Sequence, residues 1–209
     1  MKGLNLRGVT EFCRAIVQRP QLLLPQLSVH DLNDVSFQAL KDRGFQGVVF
    51  DKDNTLTTPH QKELAPQVAK SINECKHVFG DAIIIFSNSA GSDDDPGFKK
   101  AQEVEQSLEI AVLRHSSKKP GGIEQLQAHF GVDPAHLIMI GDRYSTDVLF
   151  GNMHGMLTIR TEQLSLKGET LLNITLQKIE KTMIAGLLRA GIRPLRHPLM
   201  DDEPQDKAL

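Results

Sequence analysis

The 209-residue chain has no Trp, one Tyr and two Cys. Each of these absences removes a class of function. Without Trp and with Tyr144 alone, no row of aromatic faces is available for stacking single-stranded nucleic acid. Cys13 and Cys75 are too few and too far apart for a secreted disulfide framework, and no Cys or His cluster has zinc spacing. The strongest apolar stretches, residues 21–27 and 82–86, are far shorter than the roughly 18 residues that span a bilayer, so no integral membrane segment is expected. What remains is ordinary for a globular domain: 40% hydrophobic and 24% charged residues, in a length suited to one compact domain with extensions.

The net charge of −2 conceals an uneven distribution. Residues 1–30 carry Lys2, Arg7, Arg14 and Arg19 against Glu11, a net of +3. Residues 167–197 carry Lys167, Lys178, Lys181, Arg189, Arg193 and Arg196 against Glu169 and Glu180, a net of +4. The end of the chain is acidic, with Asp201, Asp202, Glu203 and Asp206 against Lys207. An acidic middle is therefore flanked by two basic arms, and its sign disfavours nucleic acid as a partner.

In that middle, short apolar runs alternate with helix-length amphipathic segments. Residues 47–50, 82–86, 137–140 and, more weakly, 111–113 and 156–159 read as strands; residues 65–79, 98–108 and 122–130 read as helices. The alternation predicts an α/β fold: a three-layer, Rossmann-like domain around a central parallel sheet. Ligands of such sheets bind at the carboxyl ends of the strands, and that is where the polar residues gather.

Asp51-Lys52-Asp53-Asn54-Thr55 follows the first of these strands. Two carboxylates one residue apart can divide the labour of phosphoryl transfer, one attacking phosphorus and the other moving protons. Ser87, Asn88 and Ser89 follow the next strand and suit phosphate oxygens. Lys118 and Lys119 precede Pro120, and either ammonium would offset charge on a transferring group. Asp142 and Asp147, in Gly141-Asp142-Arg143-Tyr144-Ser145-Thr146-Asp147, add hard oxygen donors of the kind Mg²⁺ prefers.

These four segments, in this order, resemble the motifs of the haloacid dehalogenase superfamily of phosphatases over residues 47–160. The resemblance implies Asp51 as nucleophile and metal ligand, and Asp53 as general acid and then base, with its backbone carbonyl on the metal. It implies Lys119 as the catalytic cation, in preference to Lys118, because the family's Lys tends to precede Pro directly. Thr55, Ser87 and Asn88 would bind or orient phosphate, and Asp142 and Asp147 would complete the Mg²⁺ site.

Superfamily members often carry an inserted cap. Residues 58–81 and 90–117 leave no room for one, so a capless, open site is expected, better matched to a large or surface-embedded substrate. Val9, Phe12, Cys13, Ile16 and Val17 form one apolar stripe at helical spacing, and Leu172, Leu176, Ile179, Met183 and Leu187 a second. Such amphipathic N- and C-terminal helices suit an anionic bilayer, the core or another subunit equally. The division expected is an N-terminal arm over residues 1–40, a catalytic core over 41–166, and a C-terminal helix with acidic tail over 167–209.

The segments around Asp51, Ser87, Lys119 and Asp142 are, more closely, similar to the mitochondrial phosphatidylglycerophosphate phosphatases. That resemblance implies a lipid substrate and a peripheral position on the matrix side of the mitochondrial inner membrane, in cardiolipin synthesis, with a homo-oligomer open. The alternative is a soluble phosphatase of the same superfamily acting on a sugar phosphate, nucleotide or phosphoprotein.

Overall fold

The computed structural model describes residues 6–200; Lys2 and the acidic run from Asp201 onward lie outside the described residues. Six strands form one sheet: β1 (Leu27–Ser28), β2 (Gly47–Phe50), β3 (Ile83–Ile85), β4 (Ala111–Val112), β5 (Leu137–Gly141) and β6 (Leu157–Arg160). Their order is β1-β6-β5-β2-β3-β4, and every neighbouring pair is parallel. Among the described residues seven α-helices accompany them: α1 (Leu6–Gln18), α2 (Phe37–Asp42), α3 (Ala69–Phe79), α4 (Lys99–Leu108), α5 (Ile123–Phe130), α6 (Leu149–Met153) and α7 (Leu171–Arg189).

Parallel strands are covered on both faces, which is why β2, β3 and β5 read as unbroken apolar runs. Side chains alternate across the sheet. Val48, Phe50, Ile83, Ile85, Ile138 and Ile140 pack with Leu40 of α2, Ile72 and Phe79 of α3 and Val104 of α4. Val49, Ile84 and Met139 face the other way, onto Leu126 of α5 and Phe150 of α6. The result is the expected three-layer α/β architecture. Between β2 and β3 the only α-helix is α3, between β3 and β4 it is α4, and no cap is inserted among the described residues.

The N-terminal segment does more than extend from this core. β1 pairs with β6 at one edge, Leu27 beside Ile159, and Leu32, Val35, Phe37 and Leu40 are buried in the main cluster. At the other edge stands β4, and each edge strand has only two residues. The buried amide of Asn152 donates from Nδ2 to the carbonyls of Leu22 and Leu24, both at 2.9 Å, fastening the segment after α1 to α6.

The terminal helices form where expected, but each turns only part of its apolar stripe inward. Phe12 and Ala15 of α1 and Ile184 of α7 are buried with Leu22, Leu23, Leu24 and Leu149, and Ile16, Met183 and Leu187 pack against them. Val9 and Val17 of α1, and Leu172 and Ile179 of α7, are exposed, and so is Cys13. In its first turns α7 buries polar residues instead, Gln177 and Glu180. The reason is position: that part of α7 meets the polar crevice at the strand ends, where an apolar face would gain nothing.

Candidate active site

β2 lies between β3 and β5, and the chain continues from it toward β3 while β5 is reached later from the far edge. The crevice beyond its carboxyl end is the switch point at which open α/β sheets bind ligands. Asp51 follows β2 directly, its amide donating to the carbonyl of Ile140 on β5 at 2.8 Å. Ser87 and Asn88 follow β3, and Asp142 follows β5, so three strand ends supply one cavity of about 240 Å³.

Lys119 reaches this point from the loop before α5. Its Nζ donates to Asp51 Oδ1 at 2.7 Å and to Asp147 Oδ1 at 2.5 Å, and the side chain is fully buried. Its backbone amide donates to Asn88 Oδ1 at 2.8 Å, which ties the turn after β3 to the lysine. Lys118 is elsewhere, paired with the exposed Asp94. Burial alone would push the Lys119 ammonium down, but the charges of Asp147 and Asp51 outweigh it and hold it above its ordinary value.

Asp51, Asp142 and Asp147 bring one carboxylate oxygen each to within 4.8 Å of one another. Burial pushes Asp51 up, Lys119 pulls it back, and the Asp147 charge pushes it up again, leaving it at about 7. Asp142 is raised by burial and then by the charges of Asp147 and Asp51. Three buried carboxylates facing one ammonium carry surplus negative charge, and a hard divalent cation with oxygen ligands fits that donor set.

A tight backbone makes the cluster possible. The turn Tyr144–Val148 is π-helical, a widened geometry common at functional sites. It folds Asp147 back over Gly141, with Asp147 Oδ2 accepting from the Arg143 amide at 3.1 Å. A Cβ at Gly141 would fall inside the Asp147 carboxylate. Gly141→Ala is therefore expected to displace Asp147 and lower kcat/KM by about 10²-fold, the scale of a 1 Å misplacement, and steady-state kinetics on a soluble phosphomonoester measures it.

Asp53 stands apart from the three-carboxylate group. Its Oδ1 accepts from Lys52 Nζ at 2.6 Å and from the His60 amide at 3.2 Å, and its Oδ2 accepts from Ser89 Oγ at 2.7 Å. Burial works against its charge, but Lys52, Ser89 and His60 together hold it below the usual carboxylate range. Thr55 is buried with its Oγ1 unpartnered and is not part of the cavity wall.

The sequence did not single out Lys52 or His60 as partners of Asp53, although a Lys between two Asp residues was a local signal for the first. It also gave no sign of the far wall. There Glu169, Asn173 and Gln177, from α7 and the turn before it, line the cavity together with Asp53 and Arg143. Thr170 caps α7 by accepting from the Asn173 amide at 3.2 Å, and Asn54 holds Glu169 through Nδ2 at 3.0 Å.

A sequence profile described as mitochondrial PGP phosphatase matches residues 6–165. Phosphatidylglycerophosphate phosphatase 1, chloroplastic/mitochondrial, of Arabidopsis thaliana is 42% identical over 204 residues, 97% of this chain and 59% of the relative. Phosphatidylglycerophosphate phosphatase 1, chloroplastic, of Chlamydomonas reinhardtii is 42% identical over 200 residues, 95% of this chain and 74% of the relative. The mitochondrial phosphatidylglycerophosphatase of Saccharomyces cerevisiae is 32% identical over 158 residues, 73% of this chain and 84% of the relative. The chain thus spans somewhat under two thirds of the Arabidopsis relative's length.

Proposed function

Because the chain belongs to the mitochondrial PGP phosphatase family, we propose that it hydrolyses phosphatidylglycerophosphate to phosphatidylglycerol and phosphate through an aspartyl-phosphate. The observation that carries the chemistry is the placement of Asp51 at the end of β2, 2.7 Å from a buried lysine ammonium. In this reading an Asp51 oxygen attacks phosphorus, and the bond from phosphorus to the leaving alkoxide breaks. Asp53 gives that alkoxide its proton; it then takes one from the water that opens the aspartyl-phosphate, releasing phosphate and restoring Asp51.

The surroundings of Asp53 suit both halves. Without substrate, Lys52, Ser89 and His60 favour its charged form, the state of a base. The negative charge of an arriving phosphate opposes that and lets Asp53 hold the proton needed by the leaving group. Lys119 keeps the nucleophile in place and offers a positive charge to the transferring oxygens. Ser87 and Asn88 line the cavity beside Asp51 and offer side-chain donors to phosphate. Held by Asp51, Asp142 and Asp147 and the backbone carbonyl of Asp53, Mg²⁺ would supply further charge to polarise the phosphoryl oxygens.

A lipid substrate accords with the size of the cavity and with its rim. About 240 Å³ is below the roughly 300–1,000 Å³ of sites that enclose a drug-sized ligand, so a headgroup enters and acyl chains stay outside. Leu166, Leu171 and Leu172 are 58%, 83% and 59% exposed, on the segment that also carries Glu169 and Asn173 of the cavity wall. Among the described residues no helix is long and apolar enough to cross a membrane. The reading is therefore of a peripheral enzyme that lays this rim on the matrix side of the mitochondrial inner membrane, in the route to cardiolipin. The exposed side of α1, with Val9, Cys13 and Val17, is left for lipid or for a second subunit.

The test is phosphate release, with Mg²⁺ present, from phosphatidylglycerophosphate in mixed micelles, beside glycerol 3-phosphate and an aryl phosphate. A clear preference for the lipid is expected. Equal rates on all three, with no binding to anionic vesicles, would replace this reading with that of a soluble phosphatase.

A further inference from the structure

The polar face of α7 is expensive to bury without a purpose. Asn173, Gln177 and Glu180 follow one another at i, i+4 and i+7 on the side turned inward, whereas one turn later the same side carries the buried Ile184. Glu180 has a partner on each side: its Oε1 accepts from Arg143 Nη2 at 3.0 Å and from Ser145 Oγ at 2.6 Å. This buried carboxylate fixes the Arg143 guanidinium against the cavity. Yet Arg143 Nε is buried without a hydrogen-bond partner, and so is Nε2 of Gln177, a residue only 6% exposed. Both residues line the cavity that holds Asp51 and Asp53.

Buried donors with nothing to donate to destabilise a fold, so a pair of them on residues that line one cavity calls for an acceptor supplied from outside. The acceptor must be rich in oxygen and able to meet a guanidinium, which points to an anionic group. It is not the phosphate undergoing transfer, which in this reading Asp51, Ser87 and Lys119 already serve. Glu169, a further carboxylate that lines the cavity, has its oxygens engaged by the amides of Asn54 and Asn173, at 3.0 and 2.9 Å.

We propose that Gln177 and Arg143, the latter held by Glu180, form a second subsite that recognises the phosphodiester beside the phosphate being removed. This rests on the phosphatidylglycerophosphate reading, whose substrate carries both groups. The subsite makes α7 the specificity wall of the enzyme, although the family match ends at residue 165, before that helix begins.

The experiment uses the full chain and two soluble substrates: glycerophosphoglycerol phosphate, which keeps the diester and lacks acyl chains, and an aryl phosphate, which has no diester. Gln177→Leu and the near-isosteric Gln177→Glu are compared with the unaltered protein, together with Arg143→Lys. For each variant the ratio of kcat/KM on the diester substrate to kcat/KM on the aryl phosphate is expected to fall about tenfold, mostly through KM, and furthest for Gln177→Glu, which sets a carboxylate against the diester. Equal losses on both substrates would mean that the residues only support the fold, and no loss on either would mean that water serves their donors; each overturns the subsite. If the unaltered protein already shows no preference for the diester substrate or for the lipid, the parent reading fails first, before any variant is compared.

Discussion

Asp51→Asn is expected to lower phosphate release by about four orders of magnitude or more while leaving the fold intact, the scale on which removal of a nucleophile acts in enzymes whose catalytic groups work as a unit. The substitution keeps the size of the side chain and a hydrogen-bonding oxygen for Lys119 Nζ, 2.7 Å away, but removes the charge that attacks phosphorus. Release of phosphate from phosphatidylglycerophosphate in mixed micelles measures the loss, and far-ultraviolet circular dichroism checks the fold. Residual activity above a few per cent would remove Asp51 from the role of nucleophile.

The same variant is expected to be the more stable protein at neutral pH when divalent cations are withheld. Asp51 sits at about 7 in the folded chain against an ordinary 3.8, because burial and the Asp147 charge disfavour its ionised form. A carboxyl raised on folding contributes its stability below the unfolded value, near pH 4, and loses it as pH rises through 7. Relative to Asp51→Asn, the unaltered protein should therefore lose stability progressively between pH 4 and 8, by up to about 4 kcal/mol at ~1.4 kcal/mol per pKa unit. Urea titrations in a chelator at pH 4.5, 6 and 8 give the difference curve, and a difference that does not change with pH would contradict the charge surplus at the site. Millimolar Mg²⁺ should restore the unaltered protein above pH 7 and leave Asp51→Asn much less affected, since a ligand stabilises only the state that binds it.

Much of this site was legible because parallel-sheet strands announce themselves as apolar runs and the residue after each run enters the crevice. That rule pointed to Asp51, Ser87 and Asp142 as strand-end residues, whereas their roles, and the choice of Lys119 over Lys118, came from the resemblance to the phosphatase motifs, in which the Lys precedes Pro. The edge strand Leu27–Ser28 was not legible: two residues are too few to show a period, and the pairing with Leu157–Arg160 joins residues 132 apart, Leu27 with Ile159 and Ser28 with Arg160. Helix α2 was missed for a similar reason, six residues long and announced only by its Ser36 cap, whose Oγ accepts from the Ala39 amide. The two terminal stripes were legible only in part: Phe12, Ile16, Met183 and Leu187 pack inward, while Val9, Val17, Leu172 and Ile179 are exposed. Their apolar residues do repeat at helical spacing, yet spacing cannot say which side of a helix faces the core. On α7 the inward side is set by the crevice it closes, and Gln177 and Glu180 are buried there while Leu172 faces solvent. Lys52, His60 and the α7 wall belong to the site only through such tertiary contacts.

The brevity of β1 and β4 bears on how copies of this chain can meet. An open sheet edge is a row of unpaired amides and carbonyls that templates pairing with another molecule, and length is what makes it adhesive. With two residues at each border, the sheet offers a neighbour almost no ladder to extend. Any self-association would thereby be steered away from strand-to-strand continuation and the fibrous growth that accompanies it.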